Sequence, residues 1–379
     1  MDKSLLITLE YPPEKGGIAN YLFNLYSRLP HDKIFILAPK HKDARAHDAR
    51  MGHKIIRARL LTRFFWPRWL PLYFRVKALV KAHKIKALHL SHVLPIGYIA
   101  LRLKEKYKIR YVVYCHGLDI LKAQQVPRKK KWLIKILKNA SGIVANSEYT
   151  KGILINLGID ESKVLVVYPC PNIKPPEQTI ETYHISSRYG LNNKRVMLTV
   201  GRLVKRKGID KVLQVLPKLY EKFKDIMYVI VGDGPELENL AKIVQKNNLQ
   251  NIVRFVGPVS DTELIKFYKI ANIFIMPSRK IDFDVEGFGI VYLEANLFDL
   301  PVIGGRTGGV PEAIIDKYTG LLVNPESNNE IYQAIHDLLQ DPKWAKTLGK
   351  QGRARVMRDF QWRKEVQKLR LYLSGHIYG

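Results

Sequence analysis

Between residues 286 and 294 the chain reads Glu-Gly-Phe-Gly-Ile-Val-Tyr-Leu-Glu, two acids eight positions apart with Gly-Phe-Gly directly after the first. If Gly287 to Glu294 opens a helix, eight residues make slightly over two turns, and the two carboxylates fall roughly in line, ~12 Å apart. Glycines keep side chains away from a helix start, where free N–H groups and the positive end of the dipole favour a phosphate. Glu286 could then meet polar groups in front of that phosphate, and Glu294 polar groups behind it. A sugar, a diphosphate and a ribose follow one another in that order in a nucleotide sugar. Two glutamates at this spacing also arise by chance, so the pair takes its meaning from the rest of the chain.

Gly16-Gly17-Ile18 follows the first apolar run and opens a helical pattern, where a phosphate could approach backbone N–H groups; a Gly-Gly pair alone is equally a plain turn. His116-Gly117 follows the run 110–114, at a strand's carboxyl end, where open α/β sheets bind ligands. Gly201-Arg202-Leu203-Val204-Lys205-Arg206-Lys207-Gly208 follows a later buried-looking strand. The dinucleotide fingerprint is absent, because Gly232-Asp233-Gly234 and Gly287-Phe288-Gly289 each lack the third glycine, and there is no Walker A sequence. His89 and His92 have no Cys or acidic companions at ligand spacing, so no zinc site is expected. Cys115 and His116 are strand neighbours pointing to opposite faces, which excludes a thiol–imidazole dyad.

In this order and spacing the motifs, running from Gly16 to Glu312, resemble the retaining glycosyltransferases of family 4. The segment Asp284 to Ala295 followed by Gly308-Gly309-Val310-Pro311-Glu312 is similar to the bacterial phosphatidylinositol-mannoside α-mannosyltransferases within that family. The resemblance implies a GT-B fold: α/β, with two Rossmann-like domains whose parallel sheets face each other across a cleft. It implies a nucleotide-diphosphate sugar as donor, best GDP-mannose, and a lipid-linked or polyol acceptor. It assigns Gly17, Arg202 and Lys207 to the donor diphosphate and sets His116 beside the donor sugar. Glu286 falls on the sugar hydroxyls, Gly287, Phe288 and Gly289 offer backbone N–H groups, and Ile290 continues that donor-binding run. Glu294 falls on the ribose, and Val253 lies in a stretch that lines the base pocket.

The family's reaction is usually described as a same-face displacement in which the departing phosphate oxygen takes the acceptor proton, so Glu286 is not read as a nucleophile. Two cations on the leaving diphosphate make a metal unnecessary, and no cofactor is expected. Asp282-Phe283-Asp284 has the spelling of the metal site of GT-A transferases but precedes the Glu-Gly-Phe-Gly turn instead of ending a strand. Lys205 and Arg206 read as solvated background charge.

The elements that position these groups alternate. Strand-like runs lie at 5–9, 34–38, 54–56, 87–90, 110–114, 142–145 and 164–168, then at 196–200, 228–231, 252–255, 273–276, 302–303 and 321–323. Helical patterns fill the gaps, which argues parallel sheets with helices on both faces. A chain of 379 residues suits two domains, and Pro169, Pro171, Pro175 and Pro176 mark a linker. The expected division is 1–170 for an acceptor domain, 171–358 for a donor domain, and a tail, 359–379, returning to the first.

Charge is uneven. Residues 1–170 hold 32 Lys and Arg against 11 Asp and Glu; residues 171–379 hold 31 against 23. Between Arg57 and Lys86 basic residues interleave with Trp66, Trp69, Tyr73 and Phe74, and Arg128 to Lys131 stand beside Trp132. Such clusters suit an anionic membrane surface, while the aromatics could equally belong to the core. RNA-binding signatures are absent, and nucleic acid is not an expected partner. The longest nearly unbroken apolar stretch, Val93 to Leu101, is far below the ~20 residues of a membrane span. With two cysteines and no signal-peptide core, the expected location is cytoplasmic, peripheral on the inner face of the cell membrane. Three alternatives stand beside this reading: a family 4 transferase using UDP-glucose or UDP-N-acetylglucosamine, a nucleotide-sugar 2-epimerase, and a non-catalytic protein bound to anionic membrane or RNA.

Overall fold

The computed structural model describes residues 2–14, 16–62, 66–176 and 181–378. The chain divides into two compact units, Met1–Pro169 with Trp362–Gly379, and Cys170–Gln361. Phe64 and Phe65, part of the basic aromatic run, lie outside the described residues.

The first unit contains seven strands: β1 (Ser4–Ile7), β2 (Ile34–Pro39), β3 (Lys54–Ala58), β4 (Ala87–Leu90), β5 (Arg110–Cys115), β6 (Gly142–Ala145) and β7 (Val164–Val166). They pair in the order β3-β2-β1-β4-β5-β6-β7, every pair parallel. β1, β4 and β6 are buried at every position, as expected of strands covered by helices on both faces. The second unit contains β8 (Arg195–Val200), β9 (Ile226–Val231), β10 (Val253–Gly257), β11 (Ile273–Met276), β12 (Val302–Gly305) and β13 (Gly320–Val323). Their order is β10-β9-β8-β11-β12-β13, again all parallel.

In each sheet the chain order reverses once, between β1 and β4 and between β8 and β11. A reversal leaves a crevice outside the carboxyl ends of those two strands, because the flanking connections run to opposite sides. Both crevices receive the motifs described above.

The chain end belongs to the first unit. In the Trp362–Leu373 helix, the buried Glu365 accepts the backbone N–H of Tyr168 at 2.8 Å, and the Tyr372 hydroxyl accepts that of Ile143 at 3.0 Å. Farther on, the Tyr378 hydroxyl lies 3.2 Å from Nε2 of the buried His89, whose Nδ1 is 2.6 Å from the Tyr26 hydroxyl. The aromatics of the basic run divide between the two readings. Trp69 and Tyr73 are partly buried against the core, whereas Trp66 and Phe74 are exposed.

Candidate functional site

In the second unit the loops leaving β8 and β11 meet, and the backbone N–H of Arg279 donates to the Arg206 carbonyl at 2.8 Å. After β8 comes a single helical turn, Lys205–Lys207, then the Ile209–Lys222 helix. This turn buries Lys207, whose Nζ stands 2.7 Å from Oε2 of Glu286. The Arg206 guanidinium bonds the same oxygen through Nη1 and reaches Asp284 Oδ1 through Nε at 2.9 Å. Arg206 is therefore not background charge: it belongs to a compact quartet of two cations and two carboxylates.

Burial pushes the Glu286 carboxyl up, but the charges of Lys207 and Arg206 outweigh it and hold the group at about 2. A carboxylate so held accepts hydrogen bonds and cannot act as an acid near neutrality. Burial pulls the Lys207 ammonium below its usual range despite Glu286. Arg202 differs: its side chain is exposed and has no ion-pair partner among the described residues.

The helix begins at Ile290 and not at Gly287. Gly289 caps it in the left-handed region at φ 91°, which stops helical hydrogen bonding from extending back through the glycines. Glu286 thus precedes the helix that carries Glu294, and helical spacing does not relate the two acids. What fixes Glu286 instead is its cation pair and its backbone, whose carbonyl accepts the N–H of Gly309 at 2.9 Å. A Cβ on Gly309 would stand 2.1 Å from the Gly287 carbonyl oxygen, so only glycine allows this approach. The Phe288 ring is buried, with its centroid 5.7 Å from that of Phe360, so only its backbone faces the loop. The amides of Gly287, Gly289, Ile290 and Val291 donate to no protein acceptor among the described residues. They form the open N-terminus of the Ile290–Leu297 helix.

Glu294 is partly buried, and its Oε2 accepts the Tyr268 hydroxyl at 3.1 Å. Burial pushes its carboxyl up to about 7, with Tyr268 opposing and Asp261 adding to the rise.

The base-pocket expectation fails for the side chain of Val253. This residue opens β10, pairs with Tyr228 and is 5% exposed, which places it in the core at the amino end of the strand. The same strand reaches the site's edge at its other end, where the Gly257 carbonyl accepts the N–H of Gly232 at 2.9 Å. Asp282 is exposed at φ 51°, while Asp284 is committed to Arg206. Among the described residues no group of three His, Cys, Asp or Glu could hold a metal ion.

In the first unit the crevice between β1 and β4 has its own polar cluster. Gly17 is exposed and opens the Gly17–Tyr26 helix; a Cβ there would meet nothing within 4 Å. Glu10, just after β1, has Oε2 3.3 Å from where a Gly16 Cβ would stand, and Oε1 3.9 Å from His92 Nε2. His116 follows β5. Its Nε2 lies 3.0 Å from the Ser91 carbonyl, so the proton resides on Nε2 and Nδ1 keeps its lone pair. Burial lowers the ring to about 4, and it is neutral at physiological pH. Its backbone N–H donates to Asp119 Oδ1 at 3.0 Å. Cys115 is buried and reduced, its thiol pushed well above the usual range by burial, and takes no part.

The structure thus gathers Arg202, Lys207, Glu286, Gly287 to Ile290 and Glu294 around the carboxyl side of the second sheet, and Gly17 and His116 at that of the first. Sequence reasoning missed Arg206, Glu10 and His92. Arg206 had a signal, since it directly precedes Lys207 inside the same motif.

Comparison with known proteins shows the family and the fold. The model of Glycosyltransferase Family 4 matches residues 15–173 and that of Glycosyl transferases group 1 matches 184–355. The GDP-mannose-dependent alpha-(1-6)-phosphatidylinositol monomannoside mannosyltransferase of Mycolicibacterium smegmatis is 31% identical over 98% of each chain. A Corynebacterium glutamicum enzyme for the monoacylated form of that acceptor is 27% identical over 95% of this chain and 94% of its own. Among solved structures, Anabaena Alr3699/HepE in complex with UDP and glucose superposes with a TM-score of 0.83 at 19% identity, covering 99% of this chain and 100% of its own. With two parallel Rossmann-like sheets, both family models and relatives matched nearly end to end, the chain belongs to glycosyltransferase family 4 and has the GT-B fold.

Proposed function

We infer that this glycosyltransferase is a retaining enzyme that moves mannose from GDP-mannose to a lipid-linked acceptor such as a phosphatidylinositol mannoside. One observation carries the reading: Glu286, paired with Lys207, directly precedes the uncommitted amides of Gly287, Gly289, Ile290 and Val291. That corner supplies a cation and N–H donors for a diphosphate, together with a fixed carboxylate for sugar hydroxyls. The names of the mycobacterial and corynebacterial relatives support the choice of donor and acceptor.

In this reading Lys207 and Arg202 hold the charge that grows on the diphosphate as its bond to the anomeric carbon breaks. Glu286 accepts hydrogen bonds from the sugar, and Glu294, when ionised, accepts the two ribose hydroxyls. His116 accepts a sugar hydroxyl through Nδ1. The acceptor oxygen adds on the face the phosphate leaves, and the departing phosphate oxygen takes the acceptor's proton. The products are the α-mannoside and GDP, and the reading needs no metal. The first unit takes the acceptor, and the excess of 32 basic over 11 acidic residues in 1–170 suits work at an anionic membrane from the cytoplasmic side. No described helix is long and apolar enough to cross a membrane.

The test is release of nucleotide from a panel of nucleotide sugars, with and without phosphatidylinositol mannoside. Acceptor-dependent GDP release from GDP-mannose is expected. UDP release from UDP-glucose or UDP-N-acetylglucosamine would replace the donor. A free 2-epimer formed without acceptor would make the protein an epimerase, and binding without turnover would make it non-catalytic.

A further inference from the structure

On the first unit the Leu70–His83, Ile96–Tyr107 and Pro127–Asn139 helices border an open pocket of about 1160 Å³. Its floor is aromatic. Trp69 stacks on Tyr98 with centroids 5.5 Å apart and planes 21° from parallel, and Trp132 meets Tyr98 edge-on at 5.4 Å. Around it stand Arg68, Arg102, Lys106, Arg128, Lys129 and Lys135, against a single acid, Glu105.

This chemistry discriminates between occupants. A pyranose ring stacks on open aromatic faces, but these are largely spoken for. Arg102 lies over Trp69 and Lys135 over Trp132, each 5.3 Å from the ring centroid. What remains open is aliphatic or projecting: Leu61 and Val126, 36% and 42% exposed, and Trp66, 86% exposed, all lining the pocket. Apolar surface left open beside concentrated positive charge fits a molecule with an apolar chain and an anionic head. Concavity separates this from a flat surface lying on a bilayer, because a pocket encloses one molecule at a time.

We propose that this pocket binds a single phosphate-bearing amphiphile, its chain against Leu61, Trp66 and Val126 and its phosphate among Arg68, Arg128 and Lys129. As the seat for the lipid part of the acceptor, it rests on the proposed mannosyl transfer. The binding itself can be measured without that reaction.

The experiment titrates the protein with lysophosphatidylglycerol below its micelle concentration, following tryptophan fluorescence and calorimetry. Lysophosphatidylcholine, glycerol 3-phosphate and an alkyl glucoside serve as probes lacking, in turn, net charge, chain and phosphate. The expected result is saturable binding of lysophosphatidylglycerol, at least tenfold tighter than any of the three. Trp66→Ser with Val126→Glu, and separately Arg128→Glu with Lys129→Glu, should each weaken it at least tenfold. All four positions are exposed, so Tm should hold. Equal affinity for glycerol 3-phosphate would reduce the pocket to an anion site, and equal affinity for lysophosphatidylcholine to a plain apolar surface. Unchanged binding by both double variants, or binding only to phosphatidylglycerol vesicles, would overturn it as well. Amphiphile binding without mannosyl transfer would remove the enzymatic reading and leave the pocket standing. Transfer without amphiphile binding would do the reverse.

Discussion

Arg206 and Lys207, consecutive in the chain, converge on one oxygen of Glu286. Adjacent side chains reach the same atom because the Lys205–Lys207 turn folds both toward the loop after β11. The charges of this corner are therefore balanced within the protein, and in the proposed reaction an arriving diphosphate would compete with Glu286 for Lys207. Arg206, hydrogen-bonded to Glu286 and ion-paired with Asp284, would retain the carboxylate when that exchange occurs.

Lys207→Ala and Arg202→Ala should each lower turnover at least ~100-fold, the scale for losing one charge-stabilising group at a transition state. Arg206→Ala should act mainly on donor affinity, raising KM for the nucleotide sugar about tenfold, as for the loss of one charge-assisted hydrogen bond. Arg206→Lys should recover part of it. Steady-state kinetics with the three variants separates these roles; an unchanged donor KM in Arg206→Ala would return that residue to the background.

Glu294 gives the donor site a pH dependence. Its carboxyl titrates at about 7 in the folded protein, above its ordinary value, so the folded state binds a proton that the unfolded chain has released. This contribution to stability is fully present below about 4.5 and is lost as pH rises through 7. In the proposed reading donor affinity runs the opposite way, since only the ionised group would accept both ribose hydroxyls. GDP-mannose, whose diphosphate diester does not titrate here, should bind about tenfold more tightly at pH 8 than at pH 6. Glu294→Gln should flatten that curve, as read by isothermal calorimetry.

His116 should contribute no acidic limb of its own. With the ring neutral above about 4, kcat should carry no histidine ionisation between pH 5.5 and 8. His116→Ala should lower turnover about tenfold at every pH in that range, as for the loss of one hydrogen bond to the sugar. A limb near 6.5 in the wild type that vanishes in the variant would show that the ring is protonated during the reaction.

Chelation should leave the enzyme working. Prolonged EDTA treatment is expected to keep full initial rates, because protein cations meet the diphosphate. Loss of rate restored by Mn²⁺ or Mg²⁺ would bring Asp282 and Asp284 back as ligands.

The sheets were legible because buried parallel strands write themselves as short apolar runs. The expected spans 87–90, 142–145 and 273–276 coincide with β4, β6 and β11. The loops after β8 and β11 were legible as a candidate site for a related reason, since glycine stands there beside Arg, Lys and Glu after a buried strand. Helical periodicity misled at Glu286, where a left-handed glycine outweighs the pattern that follows it. Val253 was assigned by resemblance of a whole stretch, and such a match does not say which of its side chains turn into the core. Arg206 was hidden by its neighbours: a run of three cations looks solvated until a carboxylate 80 positions away is brought to it. His92 and Glu10 come together from two strands and leave no local trace.

The contact of Gly309 with the Gly287 carbonyl bears on redesign of the enzyme. With no side chain between them, the two loops keep a fixed separation, and neither can be lengthened or padded without parting the other from its support. Changing the preferred sugar is therefore a task for exchanges of the groups that project from this frame. A library built on loop insertions would mostly return folded proteins with a misplaced carboxylate.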